Sequence, residues 1–126
     1  MLQAYSTDIT VAIGAAIPFN SVTLSKGCTA THPSPDTFNL NKCGIYMVSV
    51  DASTAAEATI QLYKDGVALP QAQSTGGSAQ SFVALVQTDK NNSCCPCASP
   101  TVLQVRNESA AEVDFTDVNI CITKVV

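Results

Sequence analysis

The sequence predicts an all-β domain built as a sandwich, and three observations carry that expectation. Val, Ile and Thr are abundant, while no long segment spaces its apolar residues at 3.6, so amphipathic helices are not expected. Gly and Pro fall between the apolar runs, where turns belong. Two of the runs are apolar on both faces, which suits strands covered from two sides.

The elements follow in order. Residues 11–24 and 37–40 supply the first strands. In Gly44-Ile45-Tyr46-Met47-Val48-Ser49-Val50-Asp51, Tyr46, Val48 and Val50 share one face while Ile45, Met47 and Ser49 share the other. Both faces are largely apolar, so this strand belongs inside the sandwich. Residues 58–63 alternate more cleanly, and the Asp65-Gly66 step after them is the strongest short-range hairpin signal, folding residues 67–73 back as the next strand. Phe82-Val83-Ala84-Leu85-Val86 is again apolar on both faces. A loop bounded by Asn91-Asn92-Ser93 and Ser99-Pro100 interrupts the pattern, and residues 102–105 and 115–125 close it. The count reaches about eight strands at the spacing of sandwiches and jelly rolls.

A chain of 126 residues fits one domain, read here as a single unit over 11–126 preceded by an N-terminal extension of residues 1–10. Only 13% of residues are charged and 46% are hydrophobic, a balance that favours hiding apolar surface in an oligomer. The net charge is −4 and the Lys and Arg residues are scattered singly, so no basic stripe awaits a phosphate backbone and nucleic acid is not an expected partner. The first residues lack a positive n-region, residues 11–17 are too short for a secretion core, and no apolar run spans a bilayer. The expectation is a protein made in the cytoplasm without a signal peptide and without membrane insertion.

Three stretches, in order, resemble the trimeric jelly-roll family of tumour necrosis factor and the complement C1q globular domain. They are most similar to its bacterial branch, typified by the C-terminal domain of the collagen-like spore-surface glycoprotein BclA. Phe38-Asn39-Leu40-Asn41-Lys42-Cys43-Gly44-Ile45-Tyr46-Met47-Val48-Ser49 is similar to the family's Phe-x-Leu…Gly-x-Tyr-x-Val-Ser lead into the central strand, with Cys43 as a departure. Ile60-Gln61-Leu62-Tyr63-Lys64-Asp65-Gly66-Val67-Ala68-Leu69-Pro70 resembles its Asp-Gly hairpin, and Val118-Asn119-Ile120-Cys121-Ile122-Thr123-Lys124-Val125 its closing strand. Residues 17–22 resemble an early strand of the family, so the likeness covers roughly residues 11–126.

The resemblance implies a homotrimeric TNF/C1q-like jelly roll of eight to ten antiparallel strands, without enzymatic activity. It implies a three-fold axis lined by apolar strand faces, for which Tyr46, Val48, Phe82, Ala84, Ile120 and Ile122 are the candidates. The family's Gly-x-y stalk is absent, since the chain's six glycines never recur at every third position. A stalkless head is expected to sit on another protein surface: a phage virion as capsid decoration or fibre tip, or alternatively a spore layer. A carbohydrate-binding or receptor-binding module is the reading from a different functional class.

Catalytic signals are weak. His32 is the single histidine and stands in the proline-rich stretch Thr31-His32-Pro33-Ser34-Pro35, which offers one base to any nucleophilic device. No phosphate-cradling loop, zinc-protease helix or paired-carboxylate signature appears. Glu112, Asp114 and Asp117 lack a calcium-loop spacing and read as solvated acids. The remaining chemistry is sulfur. In the jelly-roll order, Cys43 and the loop carrying Cys94, Cys95 and Cys97 share one end of the sandwich, and Cys28 with His32 forms a further i, i+4 pair. Disulfides, unpaired small hydrophobes and a zinc site are the three readings of this set, with no cofactor expected apart from that zinc. Cys121, in mid-strand, reads as core.

Overall fold

The computed structural model describes residues 1–88 and 100–126, and Cys94, Cys95 and Cys97 lie outside them. The described residues form ten strands: β1 (Leu2–Val11), β2 (Ser21–Ser25), β3 (Ala30–Ser34), β4 (Thr37–Leu40), β5 (Ile45–Thr54), β6 (Thr59–Lys64), β7 (Val67–Thr75), β8 (Ala79–Gln87), β9 (Thr101–Asn107) and β10 (Val113–Lys124). They make two antiparallel five-stranded sheets. Sheet A has the order β2-β1-β10-β5-β8 and sheet B the order β3-β4-β9-β6-β7. The expected all-β sandwich is therefore present, at the upper end of the strand count.

The core lies between the sheets and follows from period-two alternation. Sheet A turns Tyr46, Val48 and Val50 of β5, Val118, Ile120 and Ile122 of β10, and Phe82, Ala84 and Val86 of β8 inward. Sheet B meets them with Phe38, Leu40, Ile60, Leu62, Leu103 and Val105. Fully burying one such aliphatic or aromatic side chain is worth roughly 1.5–3 kcal/mol, and this set supplies the main drive to fold. The Asp65-Gly66 turn behaves as its residue types demand. Both residues have positive φ, 51° and 82°, which suits the twist of a two-residue hairpin between β6 and β7. Pro70 is tolerated because β7 is an edge strand of sheet B.

The first ten residues are not an extension. Leu2–Val11 is a full strand inside sheet A, paired with β10 from Leu2↔Ile122 to Val11↔Val113 and with β2 on its other side. Its inward residues include Ala4 and Ser6, too small and polar to announce a strand. In addition, Asp8 takes φ 52° and the Asp8 step is left out of the ladder, so the buried parity changes from Leu2, Ala4 and Ser6 to Val11. On β10 the parity changes at the same level, between Phe115 and Val118.

Gly44 closes the end of the sandwich where β5 begins. Its φ is +146°, and a Cβ there would overlap the Val126 carbonyl oxygen and lie 2.7 Å from Lys124 Cε. The segment after β10 needs that space, since Val125 N–H donates to the Ile45 carbonyl at 2.8 Å. Gly44→Ala is expected to cost about 1–3 kcal/mol through backbone strain and displacement of residues 125–126, read as a lowered thermal midpoint. An unchanged midpoint would contradict this packing.

Candidate interaction surfaces

Two faces remain after the core is made, and they differ in chemistry. The outer face of sheet A carries the odd-numbered side chains of β5 and β8. Cross-strand pairing sets Met47 against Leu85 and Ser49 against Val83, with Thr123 and Cys121 of β10 beside them. Val83 and Leu85 are 63% and 60% exposed, and Met47 is 38% exposed. Toward the far end the same face turns polar, with Asn119↔Asp51 and Asp51↔Ser81. The result is an apolar patch at one end of a sheet face, bordered by β8 at the sheet edge.

This geometry corrects the expected axis residues. Tyr46, Val48, Ile120 and Ile122 are 0% exposed within one chain, and Phe82 and Ala84 are also buried. All six are spent on the sandwich interior, and a side chain between the sheets is not available to a neighbouring copy. Because the strands are apolar on both faces, alternation shows two candidate faces without saying which one the second sheet covers. The outward set is Met47, Val83 and Leu85.

The outer face of sheet B is polar and interlocked. Gln104 and Arg106 point outward from β9 because Leu103, Val105 and Asn107 are buried, and β6 sets Tyr63 beside Gln104 and Gln61 beside Arg106. The guanidinium lies over the Tyr63 ring, with Cζ 4.2 Å from the centroid. Its Nε and Nη2 donate to Gln104 Oε1 at 3.3 and 3.0 Å. The Tyr63 hydroxyl donates to Glu108 Oε1. That hydrogen bond raises the phenol's pKa above the usual tyrosine value, with desolvation acting in the same direction. Sequence reading missed this cluster; its signal was Gln104 and Arg106 at period two among the apolar residues of β9, with Glu108 just past its end.

No protein-family model matches the chain, and no curated protein matches it in sequence. Among solved structures it is similar to the globular domain of zebrafish complement 1qA protein, at TM-score 0.70 and 10% identity over 99% of this chain and 96% of that one. It is similar to the PRD1 vertex protein P5, at TM-score 0.69 and 13% identity over 99% and 96% of the two chains. Murine APRIL follows at TM-score 0.62 and 8% identity, covering 98% of each. The fold is that of the TNF/C1q-like jelly rolls. At these identities the likeness is one of fold.

Within the jelly roll, His32 has a structural role. Its ring stacks on Phe38, centroids 4.3 Å apart, while Phe38 meets Phe19 edge-on. Nδ1 lies 2.9 Å from the Thr37 carbonyl oxygen and Nε2 2.7 Å from that of Phe19. Both nitrogens are thus taken up by the backbone, and the pairing of Cys28 with His32 as metal ligands is not formed. Cys28 is exposed and unpaired, and no group of three metal-ligating side chains assembles among the described residues. Cys43 and Cys121 are half-buried, Cys121 on the outer face of sheet A and not in the core. The described residues that flank 89–99 in the chain are Thr88 and Pro100. Thr88 N–H donates to the Gly44 carbonyl and Thr101 pairs with Leu40, so both flanks meet the turn that carries Cys43. His32→Phe keeps the ring stack and removes both carbonyl contacts; the expected loss is about 1–3 kcal/mol, measured by denaturant unfolding.

Proposed function

We propose that this chain is a non-enzymatic head that self-associates through the outer face of sheet A, as a homotrimer mounted on a phage virion as a decoration or fibre-tip protein. The observation that carries the proposal is the patch of Met47, Val83 and Leu85. These side chains stand on strands whose opposite faces already fill the core, so folding leaves them uncovered. Burying Val83 and Leu85 against a second copy would recover up to roughly 1.5–3 kcal/mol for each side chain, and no other described residue covers them. The jelly roll shared with a vertex protein of PRD1 supports the virion reading at the level of fold. Sedimentation at micromolar concentration tests the assembly, with one trimeric species expected and a stable monomer overturning it. Genomic neighbours test the placement, capsid and portal genes against sporulation genes.

A further inference from the structure

We propose that the outer face of sheet B carries a binding site for a carboxylated sugar, with Arg106 as the group that recognises the carboxylate. The site lies on the sheet opposite the self-association face and does not depend on that reading. Arg106 is the only arginine in the chain. It stands on β9, the middle strand of sheet B, on a rigid element and not on a loop. Its plane is held from two sides, by the Tyr63 ring beneath it and by Gln104 Oε1 at its edge. Both of those partners are neutral. The nearby carboxylate of Glu108 is occupied by the Tyr63 hydroxyl, and no carboxylate pairs with Arg106 among the described residues. An oriented, half-buried arginine side chain with no carboxylate bonded to it among the described residues is a ready receptor for a planar anion, because its fork matches two carboxylate oxygens. Two of its five N–H donors are spent on Gln104 and a further one interacts with the Tyr63 hydroxyl, which leaves donors for a ligand.

The surroundings choose among anions. Glu108 and the net charge of −4 oppose ligands with two or more negative charges, such as a phosphate dianion or a sulfated polymer, and leave a single carboxylate as the better match. Around the guanidinium the face offers amides and hydroxyls. Gln61, opposite Arg106 on β6, is anchored through Nε2 to the Leu69 carbonyl at 2.8 Å. Thr37 Oγ1 lies 3.5 Å from Gln104 Nε2, and Asn39 lies half-buried on β4. Acceptors and donors of this kind complement sugar hydroxyls, so the ligand that uses the whole face carries one carboxylate among several hydroxyls.

The test titrates the full chain with glucuronate, with glucose as the neutral control and acetate as the charge-only control, following amide and side-chain NMR shifts at low salt. A glucuronate dissociation constant on the order of 1 mM is expected, with glucose and acetate at least about tenfold weaker. A neutral oligosaccharide ending in a single glucuronate separates a free sugar acid from one carried on a longer glycan, and binding in either arm supports the site. Arg106→Lys should weaken binding at least about tenfold, because the stacked, forked geometry is lost while the charge remains. Glu108→Gln should strengthen it, since a competing negative charge is removed, and a native-like amide spectrum of Arg106→Lys shows that its loss is not a folding defect. Val83→Asp with Leu85→Asp should leave sugar binding unchanged, which keeps this result separate from self-association. Equal binding of acetate and glucuronate, an Arg106→Lys protein of unchanged affinity, or no saturation by either uronate probe would overturn the proposal.

Discussion

A protein carrying both Val83→Asp and Leu85→Asp is expected to sediment as a folded monomer under conditions where the unmodified chain is expected to sediment as a trimer. In one chain both positions are exposed, 63% and 60%, so the new carboxylates stay hydrated and folding should change by no more than about 0.5 kcal/mol per site. In an assembly closed over this face the same carboxylates would be buried without partners, at several kcal/mol each. Even about 4 kcal/mol in total raises a dissociation constant roughly a thousandfold. The neighbouring change Phe82→Asp gives the contrast. Phe82 points into the core from the same strand, so that variant should fail to fold, not dissociate. A double variant that remains trimeric, or an unmodified chain that is monomeric, would show that sheet A is not the contact face.

Asn107→Leu should be the most damaging polar-to-apolar change in the chain, lowering stability by about 3–5 kcal/mol. Asn107 is 0% exposed at the end of β9. Its Nδ2 donates to the carbonyls of Val11 at 3.0 Å and of Ala12 and Ala111 at 3.3 Å, and its Oδ1 accepts from Ser109 N–H at 3.0 Å. One side chain therefore joins the end of β1 to the turn between β9 and β10. Leucine fits in size but leaves these backbone groups without their partner. Asn107→Asp should be comparably harmful although nearly isosteric, because a carboxylate would face three carbonyl oxygens. Such a loss is a large share of the roughly 5–15 kcal/mol that holds a domain folded. The denaturant midpoint should fall for both variants with the slope unchanged. Midpoints within error of the unmodified protein would refute this role.

Features decided by neighbouring residues were legible in the sequence. The Asp65-Gly66 turn could be read because positive φ at two successive positions is a local demand that this pair meets. The central strand β5 could be read because its alternation is unbroken from Ile45 to Thr54. By contrast, β1 was hidden by Ala4 and Ser6 at inward positions and by the change of face at Asp8. The segment of β3 around His32-Pro33 looked like a loop, and what ties it down is a ring stack on Phe38 and the carbonyls of Thr37 and Phe19.

What the amino-acid order determined by itself was the class of fold, since period-two alternation and turn chemistry act over a few residues and need no knowledge of partners. Tertiary structure alone decided which face of each two-faced strand is spent on the core. Tyr46 and Met47, or Phe82 and Val83, are both apolar neighbours, and only the position of the second sheet buries one and exposes the other. It also made the sheet B cluster, where Tyr63 and Arg106 stand on adjacent strands far apart in the chain. Their contact, and the guanidinium it orients, exists because β6 and β9 pair in one particular register, a long-range choice that no local pattern encodes.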